Sequence, residues 1–113
     1  MRQIRLLGGL VFGSIVGLGV ALYASEEQHP SALFKKYCAK CHGDDGRAQT
    51  MKGKNVKARN FTDAEWQADE TDAELIESVT EGKDEMPPFG KKLTPEQIES
   101  LVKNDVRRFA KRD

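Results

Sequence analysis

The five residues Cys38-Ala39-Lys40-Cys41-His42 constrain this chain more than any other feature. They hold both of its cysteines. Two cysteines three positions apart cannot staple distant parts of a chain together. A disulfide between them would be strained and would close almost no loop. The motif must therefore hold something other than the fold itself.

Three chemistries use such a pair. A redox dithiol has the C-x-x-C spacing within a βαβ context, and no strand pattern flanks this one. A structural zinc site needs four ligands. Cys38, Cys41 and His42 supply three, and His29 is the only other histidine. C-x-x-C-H is also the attachment site of a c-type haem. Two thiols one helical turn apart reach the two vinyl groups on one edge of a porphyrin and form thioethers. His42 then stands beneath the iron as its proximal ligand. This reading uses every residue of the motif.

The N-terminus is organised differently. Arg2 and Arg5 precede a run from Leu6 to Ala24, 19 residues without a charge, and Glu26 and Glu27 follow at once. That is the layout of an export signal or a membrane anchor. As a helix the run would be ~28 Å long, close to the apolar thickness of a bilayer. Gly9, Gly13 and Gly17 have small-xxx-small spacing. Ala24 offers a cleavage position, but Leu22 is not small and the run is long for a signal. Residues 1–24 are expected to be a signal peptide or a retained anchor helix, and residues 25–113 one domain. Either way the domain lies on the periplasmic side of an inner membrane, because Arg2 and Arg5 stay inside. It is soluble if the leader is removed and tethered through residues 6–24 if it is kept.

Of the 18 basic residues two lie in the leader, so the domain sets 16 against 18 acids. That balance argues against nucleic acid as a partner. The domain is also small enough to need a cofactor or similar support. Its pattern is helical. Pro30 and Ser31 open a helix that carries Leu33, Phe34 and Tyr37 into the cysteines. Thr62 to Glu65 and Thr71 to Glu74 read as capping boxes, the first with Phe61 and Trp66 as a hydrophobic staple. Leu75, Ile76 and Val79 form the buried face of the second helix, which Gly82 ends. Thr94-Pro95-Glu96-Gln97 starts a long helix over about 94–110, with Ile98, Leu101, Val102, Val106 and Phe109 inward. About 43–60 and 83–93 are expected as loops. The fold class is all-α, with four to five helices.

Beyond the leader the methionines are Met51 and Met86. Met86 heads Met86-Pro87-Pro88-Phe89, where two prolines stiffen a loop. The 44 positions from His42 to Met86 let the chain pass to the opposite face of a haem. Met86 is thus the expected second iron ligand. Met51 or an open position is the alternative, and either methionine could simply fill a gap in the core.

Cys38-Ala39-Lys40-Cys41-His42-Gly43, Asn60-Phe61-Thr62-Asp63, Met86-Pro87-Pro88-Phe89, Leu93-Thr94-Pro95-Glu96 and the C-terminal amphipathic helix together resemble class I cytochrome c. Within that class the chain is most similar to small bacterial monohaem members of the c6-like or cbb3-oxidase-subunit type, over about 31–110. The resemblance implies N- and C-terminal helices crossing near the edge of one covalent haem, His/Met ligation and an electron-carrier role. Many members place a proline after the haem histidine, with a carbonyl there accepting from its ring Nδ1–H. This chain has no proline between His42 and Pro87, so a carbonyl within about 51–57 is expected instead.

With both axial positions filled, electron transfer is favoured over oxygen chemistry, and the chain is read as a carrier and not an enzyme. The alternative is a haem-based peroxidase or small-gas sensor in which Met86 is displaced. Phe34, Tyr37, Phe61, Trp66, Phe89 and Leu101 are the candidate haem lining, with the Trp66 indole N–H able to reach a propionate. Lys35, Lys36, Lys40, Lys52, Lys54, Lys57, Lys83, Lys91 and Lys92 fall near the expected haem edge. Asp63, Glu65, Asp69, Glu70, Asp72 and Glu74 lie apart from them. Expected partners are redox proteins or membrane respiratory complexes with acidic docking sites.

Overall fold

The computed structural model describes residues 8, 9, 11–19 and 28–111. Among them the regular structure is helical, and the only β-type pairing is an isolated bridge between Lys83 and Met86. In chain order the helices are α1 (Ala32–Tyr37), α2 (Ala39–His42), α3 (Met51–Val56), α4 (Ala64–Asp69), α5 (Asp72–Glu81) and α6 (Pro95–Ser100). The last runs on through a π-helical stretch (Leu101–Val106) into α7 (Arg107–Phe109). These three segments form one C-terminal helix.

Local chemistry starts most of these helices. The Ser31 hydroxyl accepts from Phe34 N and opens α1. Thr71 with Glu74, and Thr94 with Gln97, form the two reciprocal capping boxes expected of them. Gly82 caps the end of α5. The box expected at Thr62 does not form. Asn60 Oδ1 instead accepts from both the Thr62 amide and its hydroxyl, a side-chain turn that occupies Thr62. Asp63 therefore becomes the cap, bonding Trp66 N at 3.2 Å. Phe61 and Trp66 still stack, with ring centroids 5.5 Å apart.

The expected 43–60 loop is interrupted by α3. Its sequence, Met-Lys-Gly-Lys-Asn-Val, has no apolar stripe and contains a glycine. It is held from outside by Thr50 and by packing on α2. The helix expected over 6–24 is also not seen where the chain is described. Residues 11–19 adopt no regular structure, and Val11, Phe12, Ile15, Val16 and Leu18 are 81–95% exposed. Five glycines lie among the described residues 8, 9 and 11–19, each costing a helix about 1 kcal/mol relative to alanine. Among the described residues no surface packs against this stretch to offset that cost. Among the described residues no helix is long and apolar enough to cross a membrane, and the rest of the apolar run lies outside them.

The core is one cluster: Phe34, Phe61, Leu75, Phe89, Leu93, Ile98, Leu101, Val102, Val106 and Phe109. The chain ends of the domain meet here, where α1 crosses the C-terminal helix. Phe34 and Phe109 are fully buried with ring centroids 5.2 Å apart. Each contributes about 1.5–3 kcal/mol of apolar burial. Gly46 lets the 43–50 loop close onto this pair, since a Cβ there would meet the Phe109 ring at 2.6 Å.

Asp105 fastens the crossing. It is 2% exposed, and its two oxygens accept from the Ser31 amide and hydroxyl, both at 2.7 Å. Asp105→Ala is expected to leave both half-buried donors without their acceptor and to cost about 1–3 kcal/mol. Urea unfolding should show a lower midpoint with an unchanged slope. An unchanged midpoint would mean that the crossing does not depend on this carboxylate.

Candidate functional site

The thiol pair sits on a bend. Helix α1 ends at Cys38 and α2 starts at the next residue. The Cys38 carbonyl accepts from both Cys41 N and His42 N, at 3.2 and 2.9 Å. Cys38 and Cys41 are thereby held one turn apart. They are not bonded to each other, and both are half-buried. Burial, and then the Asp105 carboxylate and the Cys41 thiol, push the Cys38 thiol up to about 12. A redox dithiol lowers its attacking thiol to the neutral range or below, so this environment is the reverse of one. Among the described residues no three His, Cys, Asp or Glu side chains gather as an ion site would require. His29 lies elsewhere, its Nδ1 3.3 Å from Asp105 and its ring against Phe109.

Helix α3 braces this segment from below. The Thr50 hydroxyl donates toward the α2 carbonyls of Lys40 and Cys41, at 2.7 and 3.1 Å, and accepts from Gly53 N at 2.9 Å. One side chain thus finishes α2 and starts α3. Gly53 allows the two to touch, because a Cβ there would lie 2.0 Å from the Cys41 carbonyl oxygen.

His42 Nδ1 lies 3.0 Å from the Arg59 carbonyl oxygen. A carbonyl only accepts, so Nδ1 carries the proton and Nε2 keeps its lone pair. Burial pushes the imidazole below its ordinary value, and the Arg59 bond opposes that only in part. The ring is therefore neutral near pH 7, with Nε2 able to bind a metal. The acceptor expected within 51–57 is thus corrected to Arg59. The carbonyls of the expected stretch belong to α3, whose Gly53 oxygen already serves Lys57 and Ala58. Lys57, at φ +54°, ends that helix and turns the chain so that Arg59 faces the ring. Phe61 stacks on His42 at 4.2 Å and 17°.

Met86 is half-buried against the core cluster. Its loop is tied down at both ends. Lys83 and Met86 exchange amide–carbonyl bonds at 3.1 and 2.9 Å, and Phe89 N and Gly90 N bond the Val79 and Thr80 carbonyls. Met51, by contrast, is 83% exposed at the start of α3. The structure gathers the expected lining set into one cluster. Phe34, Phe61, Phe89 and Leu101 are within it, and Tyr37 and Trp66 pack against it. Tyr37 meets Phe89 edge-on at 6.1 Å.

Four contributors escape sequence reasoning: Thr50, Arg59, Gln67 and Asp105. Only Thr50 left a signal, as a lone cap residue, and it lacked the acid or amide that completes a box.

The chain is similar to several known proteins. The family model for cytochrome c oxidase, cbb3-type, subunit III matches residues 25–103. A cytochrome c6 from Aphanizomenon flos-aquae is 39% identical over 76 residues, spanning 64% of this chain and 78% of that protein. Another, from Gloeothece citriformis, is 39% identical over 85 residues, spanning 71% and 69%. The cbb3-type cytochrome c oxidase subunit FixP of Azorhizobium caulinodans is 31% identical over 71 residues, 62% of this chain but 23% of its own length. Among solved structures, the KustC0563 c-type cytochrome superposes with a TM-score of 0.64 at 46% identity, covering 68% of this chain and 92% of that one.

The brace under α2 has a direct test. Gly53→Ala is expected to push α3 off the Cys41 carbonyl at a cost of about 1–3 kcal/mol. Thr50→Val should lose about 1 kcal/mol as a missing cap. Denaturant unfolding of both variants would rank them, and wild-type stability in Gly53→Ala would refute the close contact.

Proposed function

This chain belongs to the cytochrome c family represented by the cbb3-type oxidase subunit III model, and from that premise we propose that it carries single electrons, with His42 and Met86 as the iron ligands of one haem c attached through Cys38 and Cys41. Covalent haem is the cofactor of the family, and the residues present fit it. Both thiols are free, half-buried and one turn apart. The observation that carries the proposal is the geometry of His42: its Nδ1 lies 3.0 Å from the Arg59 carbonyl, and among the described residues its Nε2 has no hydrogen bond.

Haem c supplies a one-electron Fe(III)/Fe(II) couple when bound. The protein's own residues set its conditions. The Arg59 carbonyl orients the imidazole and raises its basicity. The Met86 thioether, a soft donor, favours the reduced state. Pro87 and Pro88, with the bonds at Val79 and Thr80, keep the methionine from drifting away. That restraint opposes the displaced-methionine reading, in which a peroxide or gas takes its place. Phe61, Phe89, Leu101, Phe34 and Tyr37 exclude water, and the Trp66 indole N–H is available for a propionate. The chain itself then catalyses no reaction.

Redox proteins or a membrane respiratory complex are the proposed partners. The nine lysines from Lys35 to Lys92 named above are all exposed, which supports docking on an acidic surface. Residues 1–24 are proposed as the export leader or anchor, with residues 25–113 as the carrier domain on the periplasmic side. Intact mass in soluble and membrane fractions would report haem addition and leader removal together.

The oxidised protein is expected to have a sulfur-to-iron charge-transfer band. Met86→His should abolish it with the haem still covalently attached, and lower the potential on the order of 0.1–0.3 V, within the roughly 0.8 V that axial ligands span. A band that survives this substitution would exclude Met86. Electron-transfer rates to an acidic partner should fall by about tenfold or more as salt rises from 10 to several hundred mM. A flat salt profile would remove the lysine docking surface.

A further inference from the structure

We infer that Gln67 is a positioning residue for His42, acting through the chain segment 59–61. Gln67 is 7% exposed and lies on α4, away from the cysteine motif. Its amide nitrogen donates to the Phe61 carbonyl and to the Val106 carbonyl, both at 2.8 Å. Its amide oxygen accepts from Arg107 Nη1 at 2.8 Å. Both protons of the amide are therefore spent on carbonyls, one of them two residues from the oxygen that holds His42.

The other constraints on this segment leave Gln67 a specific task. Phe61 N donates to the Gly46 carbonyl at 2.7 Å, so Gly46 pins one side of residue 61 and Gln67 the other. Between them they set where the Phe61 ring stacks on His42 and where the Arg59 carbonyl meets Nδ1. Gln67 is itself immobilised. Arg107 also bonds the carbonyls of Gln67 and Glu70 and the Asp72 carboxylate, at 2.7, 2.5 and 2.8 Å. The histidine is thereby referenced to the C-terminal helix through the buried Gln67 and the half-buried Arg107. A hydrogen bond on the far nitrogen of a ligating imidazole raises its basicity and favours the higher oxidation state. Loosening Gln67 weakens that bond and destabilises Fe(III).

The inference rests on the reading of His42 as an iron ligand. The test uses the full-length holoprotein and three variants. Gln67→Met keeps the bulk and removes the donors. Gln67→Glu also removes them but gains an ion pair with Arg107, so it is the variant to use if Gln67→Met does not fold. Asp72→Ala removes only the outer end of the network. In Gln67→Met the oxidised-to-reduced stability ratio is expected to fall about tenfold, a rise of about 59 mV for a one-electron couple. NMR should show the His42 Nδ1 proton exchanging with solvent about tenfold faster in both Gln67 variants. Asp72→Ala should lower the unfolding midpoint while leaving potential and exchange at wild-type values. Wild-type exchange in the Gln67 variants would overturn the inference. So would an equal change in Asp72→Ala, which would mark general loosening. An iron without an imidazole ligand in the wild-type protein would instead sink the ligand reading, and would be seen before any variant is made.

Discussion

A carbonyl oxygen can only accept a hydrogen bond, and the one belonging to Arg59 lies against His42 Nδ1. That contact decides which ring nitrogen is protonated, which way the ring faces and which nitrogen is left to a metal. Much of the surrounding structure serves it. The left-handed turn at Lys57 brings the chain out of α3, the Gly46 carbonyl holds the Phe61 amide, and Gln67 holds the Phe61 carbonyl. A short irregular segment, ordinarily the softest kind of structure, is bonded on both sides.

The C-terminal helix is the beam to which these parts are fixed. Its inner face supplies half of the apolar core, yet three of its ties are polar. Asp105 holds the start of α1, Val106 lends a carbonyl to Gln67, and Arg107 gathers the end of α4 and the start of α5. The π-helical stretch spans the first two of these residues, and Arg107 closes its wide turn by bonding the Val102 carbonyl. Such turns are rare and recur at functional sites. In a domain with so thin a core, these directional bonds define positions that apolar packing alone would leave loose.

The two proposed ligands are held by different means. His42 is oriented by a chain of hydrogen bonds from distant elements. Met86 is held by local stiffness, with two prolines following it and backbone bonds at either end of its loop. An electron carrier benefits from both, since ligands that stay put in both oxidation states reduce the rearrangement that accompanies transfer.

Features whose cause is local are legible in the amino-acid order. The C-x-x-C-H motif, the caps at Ser31, Thr71 and Thr94, the stop at Gly82 and the buried stripe of the last helix all depend on neighbours within a few residues. The stiff methionine loop was legible for the same reason. Tertiary structure alone decided the rest. Arg59 meets His42 across 17 positions, Gln67 meets Val106 across 39, and Ser31 meets Asp105 across 74. Helix α3 exists because α2 and Thr50 hold it, and Asp63 caps α4 because Asn60 has already taken Thr62. Periodicity and capping rules report on turns of the chain. They carry no information about which distant carbonyl a buried donor will meet, because that is settled only when the helices pack.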